Sequence, residues 1–253
     1  DLTQEWVKKR IALFNKFTLP SLLNQTFQDF KIFVICGNKH KKYTSRLKWN
    51  KRITLCYGRG ESGTILTAPG YPKPGLEVKE FEGFDTDYIA ITRLDSDDMF
   101  HRTAMEDVRD GVERILPTEN RQCLIFRKYI VWDRINQYIR PVHHKPSPPF
   151  ITHIFPKSIY KDYETFASQH FVNHRFMGGR DAVELSTDKV CVVNHEENIS
   201  RVKRNRELEI MSKERRKKFK ADNPSFIYGR QEMFDTLRDF SINRKDVDGD
   251  GGF

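Results

Sequence analysis

The chain has 253 residues, 38% of them hydrophobic, 12% aromatic and 31% charged, with 14 Gly and 11 Pro. That is too long for a disulfide-stapled miniprotein and too apolar for a disordered chain, so one or two packed domains are expected. No run reaches the ~18 uncharged apolar residues of a membrane span, and Asp1-Leu2-Thr3-Gln4-Glu5 lacks the basic and apolar parts of a signal peptide. The net charge of +9 is concentrated in 201–220, where ten Lys/Arg face three Glu. The other 233 residues carry 34 basic and 32 acidic groups. A basic body would indicate nucleic acid; a near-neutral body with one basic helix is a narrower statement.

In chain order, Val7, Ile11, Phe14 and Phe17 recur every three or four residues and predict an amphipathic helix over 5–17. Pro20 opens a second short helical turn, near the first position where its missing N–H costs little. Three short runs rich in β-branched and aromatic residues follow, KIFVIC (31–36), RITLCY (52–57) and DYIAITRL (87–94), and predict buried parallel strands. Met105, Val108, Val112 and Ile115 mark a helix over 101–116. A strand pair is expected at 123–132 and 135–142, joined at Asp133-Arg134, then a Pro-rich loop at 145–149. A helix over 158–174, a strand at 189–194 and a charged helix from about 200 to 221 complete the main pattern. Beyond Asn223-Pro224 comes an amphipathic segment with Phe226, Met233, Leu237 and Phe240. The tail 246–253 is Gly/Asp-rich and expected to be disordered; its DxDGD lacks the twelfth-position Glu of an EF-hand. The order predicts an α/β layer sandwich with a mostly parallel sheet.

Cys36, Cys56, Cys123 and Cys191 each lie in an apolar run with no CxxC pair, which points to reduced, buried thiols and a reducing compartment.

The chemistry-bearing motif is Thr92-Arg93-Leu94-Asp95-Ser96-Asp97-Asp98, directly after a strand. Three carboxylates in four residues repel one another, and hard oxygen ligands suit Mg²⁺ or Mn²⁺ held together with substrate phosphates. The competing structural reading is that Asp97 or Asp98 caps the following helix. SLLNQTFQDFKIFVICG (21–37), followed roughly 55 residues later by an apolar strand running into LDSDD, resembles the GT-A glycosyltransferases. WxKKRIALFNKFTLPSLLNQTFQDF with ITRLDSDDMF is most similar to their rhamnosyltransferase-type family, a glycosyltransferase family 2-like group, over about residues 6–200.

The resemblance implies a GT-A α/β/α sandwich over 1–200, a basic and amphipathic helical extension over 201–245 and the tail. It implies a metal-dependent, inverting transfer of sugar from a nucleotide-diphosphate donor to an acceptor hydroxyl. Asp97 would be the direct metal ligand, Asp95 would face the donor ribose or the metal, and Arg93 would lie near the diphosphate. His195, after the strand VVN, matches the family segment that gives a histidine to the metal or diphosphate. Asp181, in Gly178-Gly179-Arg180-Asp181, matches the base position, with Glu184 the second choice. Two departures stand out. The strand that family members place before the first helix is not in the residues given, and Cys36-Gly37-Asn38 replaces the acidic residue that often follows the second strand.

Other histidines carry weaker readings. His170 and His174 share a helical face without a third ligand, and His143, His144 and His153 border the Pro-rich loop as candidates for an acceptor groove. Acceptors consistent with the sequence are a glycan, a lipid-linked saccharide, a protein or a modified nucleic-acid base. The 201–220 segment is either a solvated helix or attracts an anionic membrane, nucleic acid or a diphosphate-bearing substrate, with a cytoplasmic, membrane-peripheral location. The alternatives are a metal-dependent nucleotidyltransferase, or a non-enzymatic module that binds through the basic helix.

Overall fold

A computed structural model describes residues 3–58, 85–115, 122–143, 150–161, 182–195 and 212–248. The predicted first helix starts at α1 (Gln4–Leu13), capped by the Thr3 hydroxyl, which accepts from the Trp6 N–H. It runs through a π-helical segment, Phe14–Thr18, into α2 (Leu19–Leu23). Pro20 has no N–H to donate and its ring crowds the carbonyl one turn back. The widened π turn lies immediately upstream of it, and the Leu19 N–H reaches back five residues to the Phe14 carbonyl.

Next come β1 (Ile32–Gly37), α3 (Lys41–Thr44), β2 (Ile53–Gly58), β3 (Tyr88–Thr92), β4 (Met99–Phe100) and α4 (Ala104–Arg114). They are followed by β5 (Gln122–Ile125), β6 (Lys128–Asp133), β7 (Tyr138–His143), β8 (Ile151–Pro156) and α5 (Lys157–Tyr160). The last elements are β9 (Val183–Glu184), β10 (Val190–Asn194), α6 (Lys213–Asp222), α7 (Arg230–Leu237) and α8 (Arg244–Asp248). Helix expectations over 162–174 and 201–211 fall outside the described residues, as does the Pro-rich loop.

The protein is mixed α/β, but the expected mostly parallel sheet is corrected. Among the described residues the strands form three sheets, β1-β2, β4-β10-β6-β7 and β3-β8-β5-β9. Pairings β1·β2, β10·β6 and β5·β9 are parallel; β10·β4, β3·β8, β5·β8 and β6·β7 are antiparallel. β1 and β2 are parallel neighbours as expected, whereas β3 pairs antiparallel with β8, Ile89 opposite Phe155. A continuous apolar run reports burial on both faces and not strand direction. The single strand expected over 123–132 is two strands in different sheets. The chain bends at Phe126-Arg127, where the Phe126 N–H donates to the Phe150 carbonyl.

Two large cores organise the layers. One joins Leu22, Ile32, Met105, Val108, Leu124, Phe126, Phe150 and Ile154, setting α2 and α4 against the strands. Gly111 marks the closest approach: a Cβ there would meet Leu185 at 2.8 Å and Leu124 at 2.9 Å. The second core joins Leu13 and Phe17 of the first helix to Trp132, Ile139 and Val193 of the sheet. Met233, Leu237, Phe240, Ile242 and Val247 of the C-terminal segment also belong to it. The C-terminal segment therefore shares a core with the N-terminal helix and is not an appendage. The tail also begins later than expected. Asp246–Asp248 close a helix in which Val247 is fully buried and Asp246 pairs with Lys16 at 3.1 Å.

Candidate functional site

The Asp-rich motif turns between β3 and β4, with the Asp98 N–H donating to the Asp95 carbonyl. β4 pairs antiparallel with β10, Met99 opposite Cys191, so the end of β10 runs beside the turn. That register brings together two residues 98 positions apart. His195 Nε2 lies 2.9 Å from Asp97 Oδ2, with the imidazole fully buried and Asp97 nearly so. An ionised carboxylate only accepts, so the imidazole donates from Nε2 in this contact.

The partner that sequence reading missed is Arg10. Its Nη1 donates to Asp97 Oδ2 and its Nη2 to Oδ1, both at 2.8 Å, and Nη2 also reaches Ser96 Oγ at 2.9 Å. The guanidinium stacks over the Trp6 ring, 5.5 Å from its centroid. A signal was present, because Arg10 lies on the same helical stripe as Val7, Ile11 and Phe14. A charge on a buried face is more informative than another apolar residue there.

The pKa values of the Asp97 and Asp98 carboxylates are pushed in opposite directions. Burial raises the Asp97 pKa, but hydrogen bonds from His195 and Arg10 and the Arg10 charge outweigh it, holding the group below its ordinary value. Asp98 is pushed well above its ordinary value by burial and by the charges of Asp97 and Asp95. Its Oδ1 accepts from the Val193 N–H at 3.2 Å, a further tie between the turn and β10. Neither Asp98 nor Asp97 caps α4 with a side-chain hydrogen bond; its N-cap is Thr103. Asp95 is half exposed and takes an ion pair from Arg93 at 3.0 Å, the local pairing that competes with a diphosphate role for Arg93.

The SLLNQT segment acts on the same region. Ser21 Oγ accepts from the Phe100 N–H at 3.2 Å, and Gln25 Oε1 accepts from the Met105 N–H at 2.9 Å. Gln25 Nε2 donates to the His101 carbonyl at 2.9 Å. The two motifs are thus physically joined: α2 and the residue just past its C-cap satisfy backbone groups of the segment that follows the acidic turn.

Among the described residues no group of three or more His, Cys, Asp and Glu is placed to hold a metal ion. Asp97 and His195 carry donor atoms of the type such a site would use, although in this structure Nε2 donates to Asp97 Oδ2 and both Asp97 oxygens accept from Arg10. A metal here would replace the hydrogen bond between Nε2 and Oδ2: adjacent ligands of an octahedral ion at about 2.1 Å stand about 3 Å apart, close to the separation of these two atoms. Mg²⁺-type sites commonly use one or two protein ligands and take the rest from substrate phosphates and water.

Asp181, with Gly178 and Gly179, lies outside the described residues, as do His144, His170 and His174. Glu184 is on β9 and pairs with Arg127 at 3.6 Å. His143 is exposed at the end of β7. His153 corrects the groove expectation: it is buried in the sheet, its Nδ1 3.3 Å from Cys123 Sγ on the paired strand. All four cysteines are free, with Cys56 and Cys191 buried and Cys36 and Cys123 partly so.

A mixed α/β frame with an acidic turn, a strand-end histidine and a half-buried arginine defines the site. The chain belongs to the family described as "Putative rhamnosyl transferase", whose model matches residues 2–207. Membership points to a glycosyltransferase, with a sugar donor and an acceptor. No curated protein and no solved structure matches the chain. Among the described residues no helix is long and apolar enough to cross a membrane.

Proposed function

We propose that this chain is a metal-dependent, inverting GT-A glycosyltransferase that moves a sugar from a nucleotide-diphosphate donor to an acceptor hydroxyl. The observation that carries the reading is the convergence of Asp97 and His195 beside a strand end, on a family match over residues 2–207. In this reading Asp97 and His195 hold Mn²⁺ or Mg²⁺, which when bound supplies positive charge beside the leaving diphosphate. Asp95, half exposed, faces the ribose or the ion, and Arg93 exchanges its Asp95 contact for the diphosphate. Asp181 accepts the proton of the acceptor hydroxyl as that oxygen bonds to the anomeric carbon and the carbon–diphosphate bond breaks. The acceptor is a glycan, a lipid-linked saccharide or another hydroxyl compound. The exposed basic side chains of α6 support docking at an anionic membrane surface on the cytoplasmic side, where the free cysteines stay reduced.

Thermal-shift measurements with UDP, GDP and dTDP, each with and without Mn²⁺, test this. The expected result is stabilisation by one nucleotide that depends on Mn²⁺. No stabilisation by any of the three in Mn²⁺ would reject the donor site. Stabilisation that is equal without metal would reject the metal.

A further inference from the structure

We propose that Arg10 is a positioning residue of the donor site: its guanidinium fork locks the Asp97 carboxylate in the plane that presents it beside His195. The proposal rests on the donor-site reading above and adds the residue that makes the acidic turn usable. Arg10 spans 87 positions to reach Asp97 and meets both carboxylate oxygens at 2.8 Å, with its side chain only 15% exposed. The ion pairs of Arg109 form a contrast, running within one helix at 38% exposure. A two-pronged contact fixes orientation as well as charge, which a lysine ammonium cannot do.

The placement of Arg10 is over-determined. Trp6 stacks on the guanidinium from one turn earlier in α1, and Ser96 Oγ takes a third hydrogen bond from Nη2. Its Nε is buried with no hydrogen-bond partner among the described residues, while its two Nη groups meet Asp97. The first helix also grips the acidic segment twice, through Arg10 to Ser96 and Asp97 and through Ser21 to the Phe100 N–H. The π segment Phe14–Thr18 lies between these two grips and sets the rotation of one relative to the other. Arg10 meets the oxygen edge of the Asp97 carboxylate, sharing Oδ2 with His195, and both its Nη groups are occupied. It therefore acts through Asp97 and touches no substrate.

Outer partners that orient a metal ligand typically change metal affinity or activity by about 10–100-fold when replaced. The test is a Mn²⁺ titration of the nucleotide-induced thermal shift, using whichever of UDP, GDP or dTDP stabilises the wild type. Arg10→Lys keeps the charge and loses the fork. It should move the Mn²⁺ midpoint upward by about 10-fold or more while the metal-free melting temperature falls only slightly. A role confined to stability would lower the melting temperature and leave the Mn²⁺ midpoint in place. Ser96→Ala, which removes only the third hydrogen bond of the Arg10 guanidinium, should move the midpoint in the same direction by a smaller factor, and it keeps the test decisive if Arg10→Lys does not fold. Unchanged Mn²⁺ midpoints in both folded variants would overturn the proposal alone. A wild type that shows no Mn²⁺-dependent stabilisation would overturn the donor-site reading, and the proposal with it.

Discussion

The acidic turn and helix α6 handle charge in opposite ways. At the turn, Asp97 and Asp98 are buried and tied: Asp97 to Arg10 and His195, Asp98 to the Val193 N–H. On α6, Arg215, Lys217, Lys218 and Lys220 are exposed. That helix is held mainly by Phe219, which packs 5.3 Å from Tyr138 and 5.8 Å from Phe226. The adjoining chain adds a bridge between Ile139 and Ile227. Breaking a buried pair strands an uncompensated charge, while exposed pairs are worth little. Linear charge density therefore misleads as a guide to consequence. The +7 of 201–220 sets long-range attraction, and a few buried groups set local geometry.

The largest effect expected from either region is at the turn. Asp97→Asn should abolish Mn²⁺-dependent nucleotide binding and turnover while circular dichroism stays native. A variant with near-normal Mn²⁺-dependent turnover would show that the buried carboxylate serves only to hold Arg10.

Asp181→Asn should slow the chemical step by about 10²–10⁴-fold with donor affinity kept, the scale of general base catalysis. Single-turnover rates beside nucleotide binding check this, and lost binding with an unchanged rate would assign Asp181 to the donor.

Stability sharpens the comparison next. Leu237 is fully buried in the core that contains Phe17 and Trp132, so Leu237→Ala should cost about 2–5 kcal/mol in urea unfolding. A loss below about 1 kcal/mol would mean that the C-terminal helices contribute little to that core.

A smaller, pH-dependent effect is expected at His101. Its pKa is lowered by burial first, then by the Lys189 charge, with Asp239 opposing. Its Nδ1 accepts from the Thr103 N–H at 3.3 Å, which requires the unprotonated nitrogen. The unfolded imidazole takes up a proton near 6.5, above the folded value, so the stability this group contributes is present above that pH and is lost as pH falls below it. His101→Gln should therefore narrow the difference in unfolding free energy between pH 7.5 and 5.5 (both chosen around that value). An unchanged difference would remove His101 from the account.

The smallest effect on stability belongs to α6. Neutralising Arg215, Arg216, Lys217 and Lys218 together should leave the melting temperature nearly unchanged. It should flatten the salt dependence of binding to phosphatidylserine vesicles, because fewer counterions are released. If wild type binds neither those vesicles nor DNA at low salt, α6 is a solvated helix and nothing more.

Much of the frame was legible in the sequence because it depends on local chemistry. The stripe of Val7, Phe14 and Phe17 placed the first helix, Pro20 its second part, and short apolar runs β1, β2, β3 and β10. Asp97 and His195 stood out because a carboxylate cluster and a strand-end histidine are unusual in a nearly neutral body. Strand direction was less legible: β3 is as apolar as a parallel strand and is antiparallel to β8, because apolar character records what surrounds a strand and not which way its neighbour runs. The break at Phe126-Arg127 escaped notice because no Gly or Pro marks it.

The sequence by itself determined which residues seek burial, where helices start and stop, and that carboxylates crowd one turn. It also made a cation look necessary there, since Asp95, Asp97 and Asp98 repel one another. Only the tertiary structure decided how that repulsion is relieved. Arg10 arrives from a helix 87 residues upstream, Arg93 pairs with Asp95, and burial drives Asp98 toward its neutral form. The β4·β10 pairing then sets His195 against Asp97. Periodicity and caps act over a few residues, so composition and spacing report them. Electrostatic partners meet through space, and only packing determines which distant charge arrives.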